Sequence, residues 1–162
     1  MGFGQRWRNW MKTCLSSAMI SVLLNGSPTK PFAIKRGLRQ GCSLSPMLFN
    51  IVGEALSQLL NKAVELGVFK GVKIGSSDME ISHIQFADDL VLFIEAEEAM
   101  VRQVKRVLKI FELAAGLSIN EAKSKLYGVN VDDDSIRRMA EAINWGWGCH
   151  IPKTGLVGIK FR

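Results

Sequence analysis

One stretch constrains this chain more than any other: Ile84-Gln85-Phe86-Ala87-Asp88-Asp89-Leu90-Val91-Leu92-Phe93-Ile94. Two adjacent carboxylates interrupt a nearly continuous apolar run, rich in β-branched and aromatic residues, of the kind that forms short buried strands. Aspartate disfavours strands and favours turns, so the run predicts a hairpin with the acids at its tip. Like charges side by side against an apolar sheet repel each other and lose hydration. Either one carboxyl keeps its proton, or a cation or water reaches both. A hard divalent ion such as magnesium takes oxygen ligands of this type, whereas a plain acidic turn needs only solvent. Both readings stand on these eleven residues.

The 162 residues, 48% of them hydrophobic, suit one domain or one large fragment with a real core. A net charge of +6 allows a polyanionic partner. Cys14, Cys42 and Cys149 are widely spaced and include no CxxC, which argues against a disulfide framework and against a zinc site. Free thiols fit a reducing compartment. Arg6, Arg8 and Lys12 ahead of the apolar stretch 14–24 imitate a signal peptide, but Ser16, Ser17 and Ser21 dilute it. The expectation is an intracellular protein, nuclear or cytoplasmic, and not secreted. No apolar run approaches the ~20 residues of a membrane span, so no membrane partner is expected.

In chain order, Trp7, Trp10, Met11 and Cys14 fall at helical spacing within 5–15. Residues 20–24 read as a strand ending at Asn25-Gly26, a strong turn signal, and Phe32-Ala33-Ile34 as the extended return. The loop Lys35-Arg36-Gly37-Leu38-Arg39-Gln40-Gly41-Cys42 sets three cations beside two glycines. Ser45 as cap and Pro46 as first helical residue predict a helix to about Leu66, stopped by Gly67. Its apolar pairs, from Met47/Leu48 to Ala63/Val64, form a broad core-facing stripe.

Gly71 to Gly75 predicts a strand and Ser76-Ser77-Asp78 a turn, and His83 reads as a structural histidine rather than a ligand. A second long helix is predicted over 95–113, with Val101, Val104, Leu108 and Phe111 facing inward. Arg102, Lys105, Arg106 and Lys109 align on another face, as a solvated stripe or a contact to a nucleic-acid backbone. Gly116 ends this helix, and 117–129 carries a loop and strand containing Lys123. Asp132-Asp133-Asp134-Ser135 marks the start of a helix to about Ile143, its acids suited to the positive end of the macrodipole rather than to a metal. Residues 145–162 are glycine-rich, with no defined element predicted.

The loop Arg39-Gln40-Gly41-Cys42-Ser43-Leu44-Ser45-Pro46, the hairpin Phe86-Ala87-Asp88-Asp89 and the segment Gly116-Leu117-Ser118-Ile119-Asn120-Glu121-Ala122-Lys123-Ser124 occur in that order. Together they resemble the reverse transcriptases of LINE-type, non-LTR retrotransposons, whose palm carries R-Q-G-x-x-L-S-P, F/Y-A-D-D and G-L-x-x-N-x-x-K-S. The resemblance covers nearly the whole chain. Ser43 stands where proline is usual, and Pro152-Lys153-Thr154-Gly155-Leu156-Val157-Gly158 lacks the tyrosine of the family's P-x-x-Y-L-G.

The resemblance implies an α+β fold: a fragment of the right-hand polymerase palm, its antiparallel sheet and acidic hairpin packed on two long helices. It implies palm over 1–130 and the start of the thumb, or a connector, over 131–162. It implies two-metal nucleotidyl transfer with magnesium, an RNA template, a DNA primer and deoxynucleoside triphosphates. Asp88 and Asp89 would be metal ligands and catalytic. Lys123 would steady or protonate the departing pyrophosphate. Arg39, Gln40, Gly41, Phe86 and Ala87 would line the nucleotide and template side, where a side chain at Gly41 would intrude. The family's other essential aspartate lies on an upstream strand, and residues 1–53 here contain no Asp or Glu. The expectation is therefore a fragment, inactive alone. The alternative is a non-catalytic nucleic-acid-binding module or retroelement relic using the basic face.

Overall fold

The computed structural model describes residues 2–34, 39, 41–73, 80–87, 89–151 and 156–160, with backbone only at 149–151 and 156–160. Its contacts divide it into two compact units, 1–51 and 52–162.

The first unit opens with α1 (Gln5–Ser16), which follows the predicted aromatic spacing but buries no residue. Phe3 and Trp7 stack with ring centroids 4.1 Å apart, and the Arg6 guanidinium lies 4.7 Å from the Trp10 centroid. Two small ladders follow: β1 (Met19–Ile20), β2 (Leu23–Leu24), β3 (Ser27–Pro28) and β4 (Phe32–Ala33) pair as β2 with β3 and β1 with β4. Asn25 and Gly26 close the inner pair at φ of +48° and +81°, the left-handed pair a tight two-residue hairpin requires. The strand expected over 20–24 is thus two short pieces, with Phe32-Ala33 returning as expected.

Helix α2 (Leu44–Glu65) begins in the first unit and continues into the second. It starts one residue before the predicted cap, and the Ser45 hydroxyl donates to the Arg39 carbonyl at 2.8 Å. Gly67, at φ +68°, follows its end. Next come β5 (Val72–Lys73), β6 (Glu80–Ile81), β7 (His83–Phe86), β8 (Asp89–Ile94), α3 (Glu98–Ala115), β9 (Lys125–Val129), α4 (Asp133–Ala142), β10 (Gly146–Ile151) and β11 (Leu156–Lys160). The predicted turn over 76–78 lies outside the described residues. Gly116, left-handed at φ +69°, ends α3, and the Asp132 carboxylate caps α4 by accepting from Ser135 N–H at 2.8 Å.

A five-stranded sheet in the order β10-β9-β11-β8-β7 organises the second unit. It is mixed where an antiparallel sheet was expected: β10 runs parallel to β9, because α4 supplies the crossover between them. The glycine-rich tail, for which no element was predicted, provides two of these strands, with β11 antiparallel to both β8 and β9. Gly148 is opposite Tyr127, and a Cβ there would stand 2.2 Å from the tyrosine ring. In such a strand glycine accommodates a neighbour's aromatic ring, which hides the apolar alternation that normally announces a strand.

The core joins Leu56, Leu60 and Ala63 of α2, Leu90, Leu92 and Ile94 of β8, Val101, Val104, Val107 and Leu108 of α3, Leu126 of β9, and Ile136, Met139 and Ala140 of α4. The hairpin and both long helices therefore share one core, as the apolar stripes require. Leu60 is fully buried, so Leu60→Ala should lower unfolding free energy by about 2–5 kcal/mol. Leu113, 78% exposed on α3, should tolerate alanine within about 0.5 kcal/mol. Urea denaturation of both variants measures the contrast; equal losses would contradict this core.

Candidate functional site

In the hairpin of β7 and β8, Phe86 pairs with Asp89, Gln85 with Leu90, Ile84 with Val91 and His83 with Leu92. Ala87 follows β7 at φ +51°, the left-handed first position of a primed two-residue turn, an unusual demand on alanine. Asp88 lies outside the described residues. Asp89 is the first residue of β8 and half-buried. Strand alternation sends Leu90, Leu92 and Ile94 into the core and leaves Asp89, Val91 and Phe93 on the opposite face with Ile84 and Phe86. That face is apolar and open, with Phe86 82% exposed and Ile84 54%.

The inward side of β7 meets α2 through polar contacts. The Ser57 hydroxyl lies 2.7 Å from His83 Nε2, and the Ser82 hydroxyl 2.9 Å from Nδ1. Both ring nitrogens are satisfied, so His83 is structural, as the sequence predicts. Burial holds its pKa below the ordinary histidine range. Gln85 packs so close to Gly53 that a Cβ there would stand 2.5 Å from its amide nitrogen.

The segment Gly116 to Ser124 closes on itself at its C-terminal end. Asn120 Oδ1 accepts from Lys123 N–H at 3.1 Å, and its carbonyl accepts from the Ser124 hydroxyl at 2.9 Å. Ser124 is fully buried and Lys123 is exposed. The spacing of Asn120, Lys123 and Ser124 therefore has a local physical meaning: the asparagine nucleates a turn, and the serine anchors it. Asp89 and Lys123 also lie toward one end of the sheet. Val91, Lys160 and Lys125 form one row across β8, β11 and β9, and each of the two residues precedes its row by two positions. The starts of β8 and β9 are two strand spacings apart, ~10 Å.

In the first unit, Arg39 and Gly41 belong to the turn that leads into α2; Gln40 lies outside the described residues. Gly41 has φ +78°, but a Cβ on it would meet nothing within 4 Å among the described residues. Its backbone conformation, not crowding by those residues, calls for glycine. Arg39, Cys42, Ser45 and Leu48 line a cleft of about 790 Å³ together with Trp7, Arg8 and Met11. The Leu44 N–H and the neighbouring Ser45 side chain favour the Cys42 thiolate and hold its pKa below the usual thiol range. A lone cysteine in a glycine loop gives no such signal; the serine three residues on does so only once the loop is folded.

The basic stripe on α3 is largely engaged. Arg102 pairs with Glu98 at 2.6 Å, Lys109 with Glu112 at 2.8 Å and Lys105 with Glu121 at 3.0 Å, while Arg106 reaches Gln103 at 3.4 Å. Lys105 is half-buried, donates to the Ile143 carbonyl and lies 5.8 Å from the Trp145 ring centroid. Helical spacing aligned the four cations but did not show that three of them have carboxylate partners. Among the described residues no three His, Cys, Asp or Glu side chains gather as a metal-binding group. No described helix is long and apolar enough to cross a membrane.

Residues 1–140 match the reverse transcriptase (RNA-dependent DNA polymerase) family. The chain is 30% identical over 122 residues to the Transposon TX1 uncharacterized 149 kDa protein of Xenopus laevis, covering 75% of this chain and 9% of that protein. It is 30% identical over 125 residues to a retrovirus-related Pol polyprotein from the type-1 retrotransposable element R2 of Popillia japonica, covering 76% and 17%. An uncharacterized mitochondrial protein of Arabidopsis thaliana is 42% identical over 67 residues, covering 41% and 55%. The chain thus spans a small part of the retrotransposon proteins and about half of the mitochondrial one.

Two titrations check this geometry. Ser45→Ala removes a neighbouring hydroxyl that favours the Cys42 thiolate, so iodoacetamide should alkylate Cys42 more slowly at pH 7, with the difference vanishing above pH 9 as the thiol ionises regardless. An unchanged rate at pH 7 would discount the contact. The depressed pKa of His83 gives stability that is complete above the ordinary value of about 6.5 and is lost as pH falls through the folded-state value. Denaturation midpoints should therefore fall from pH 7 to pH 5 more steeply in the native sequence than in His83→Gln.

Proposed function

The chain belongs to the reverse transcriptase family, with relatives among non-LTR retrotransposon proteins, and from that premise we propose that its hairpin face is the nucleotidyl-transfer surface of an RNA-directed DNA polymerase palm. The observation that carries this reading is the register of β7 and β8. It sets Asp89 at the edge of an open apolar face, with Lys123 toward the same end of the sheet. Residues 1–130 supply palm in this reading, and 131–162 lead toward the thumb.

Asp88 and Asp89 would hold magnesium through carboxylate oxygens. When bound, that ion supplies neutralising charge for the triphosphate and lowers the pKa of the primer hydroxyl. The chain's own residues orient the reactants. By family membership, Phe86 and Ala87 would serve the primer side, and Arg39, Gln40 and Gly41 the incoming deoxynucleotide and its RNA template. The primer 3′-oxygen attacks the α-phosphorus, the bond to the β-phosphate oxygen breaks, and pyrophosphate leaves. The Lys123 ammonium, which makes no ion pair among the described residues, is suited to meet that leaving charge.

Two ions held at fixed separation need more carboxylates than one hairpin offers, and residues 1–53 supply none. The 162-residue chain alone should therefore show no primer extension with magnesium and deoxynucleotides. Joined to a segment bearing the additional aspartate strand and the fingers, it should extend a primer, and Asp88→Asn should abolish that activity. Robust extension by the isolated chain, lost in Asp88→Asn, would refute the need for a further ligand.

The α3 face separates catalysis from simple binding. Arg102→Gln with Arg106→Gln should weaken primer–template binding uniformly across sequences and reduce the salt slope by up to about 2. Unchanged affinity would leave the stripe a solvated face.

A further inference from the structure

Lys105 and Glu112 were not read from the sequence as partners of the segment 116–124, yet both hold it. The backbone N–H of Ile119 donates to Glu112 Oε1, and Lys109 holds the other carboxylate oxygen at 2.8 Å. Glu121, two residues beyond Ile119, pairs with Lys105 at 3.0 Å. Lys105 in turn donates to the carbonyl of Ile143, the residue that ends α4, and packs on Trp145. One ion pair and one backbone N–H to carboxylate bond, from positions about two turns apart on α3, thus hold the segment on both sides of Asn120. Asn120 then builds the turn that ends at Lys123.

We propose that Glu112 and Lys105 are positioning residues: they fasten the segment 116–124 to α3 and thereby set where Lys123 stands. The role of Lys123 toward a leaving phosphate rests on the polymerase reading; the clamp itself does not. The chemistry of the clamp explains its residue types. A carboxylate can accept from a backbone N–H and a cation at once, and a long cation can span from α3 to both a side-chain carboxylate and a carbonyl. Glutamine at 112 keeps the shape but not the charge. Arginine at 105 keeps the charge and the reach, whereas glutamine there loses both.

The groups facing Glu112 are Lys109 and Lys105 from α3 and, beyond them, Glu121 from the segment. The hydrogen bond from Lys109 is the largest influence holding the Glu112 carboxyl below the usual glutamate range, and the Ile119 N–H adds to it. Stability from a carboxylate of this kind is present above its ordinary pKa of about 4.3 and is lost as pH falls through the lower folded value.

The test is nuclear magnetic resonance on the full 162-residue chain. The Ile119 amide shift should titrate with a midpoint below about 4.3 and should stop titrating in Glu112→Gln. Amide exchange at Ile119, Lys123 and Ser124 should accelerate at least tenfold in Glu112→Gln and in Lys105→Gln, with Val104 and Leu108 unchanged. Lys105→Arg should restore protection. Uniform acceleration across α3, or none in the segment, would overturn the clamp. Titration with magnesium pyrophosphate tests its purpose: Lys123→Ala and Glu112→Gln should weaken binding to the same degree. If Lys123→Ala leaves binding unchanged while the exchange pattern holds, the phosphate role of Lys123 fails and the clamp stands.

Discussion

The burial of one face of β8 is the constraint on which the second unit depends. Leu90, Leu92 and Ile94 enter a core shared with α2, α3, β9 and α4, and the alternation of a strand sends Asp89, Val91 and Phe93 to the other side. A slip of one residue would expose three large apolar side chains and drive a carboxylate among them. Register is thus fixed by the hydrophobic effect, and the outward position of Asp89 follows from it. The site is a by-product of packing in this sense: the core decides which residues remain on the open face.

Polar groups near that core are matched rather than removed. His83 lies between two serine hydroxyls, and the buried Ser124 hydroxyl donates to the Asn120 carbonyl. Each of these contacts spares a buried group the cost of lost hydration. The first also ties elements distant in sequence, β7 to α2, and the second closes the turn before β9 on itself.

Charge follows a different rule in this protein. The net charge of +6 suits a polyanionic partner, yet three of the four cations aligned on α3 face carboxylates. Exposed pairs such as Arg102–Glu98 are screened and still present a cation to an approaching phosphate. Half-buried Lys105 is committed to the fold through Glu121 and the Ile143 carbonyl. A stripe that is uniform in sequence is therefore divided by its surroundings into exposed and structural positions.

Local rules in the sequence determined the hairpin, the Asn25-Gly26 turn, the glycine end of α3, the Asp132 cap and the three ordered motifs of the family. Each depends on a few adjacent residues: turn chemistry, capping and apolar periodicity act within a turn or two of chain. Only the tertiary structure decided that β11 inserts between β8 and β9, that β10 runs parallel to β9, and that Lys105 faces Glu121 rather than solvent. Glycines at 146, 148 and 158 erase the alternation by which those strands would be recognised. The partner of Lys105 lies beyond the end of its helix, so helical spacing carries no trace of it. Strand order and long-range ion pairs are set by which surfaces can be buried together, and that is a property of the assembled core rather than of any segment.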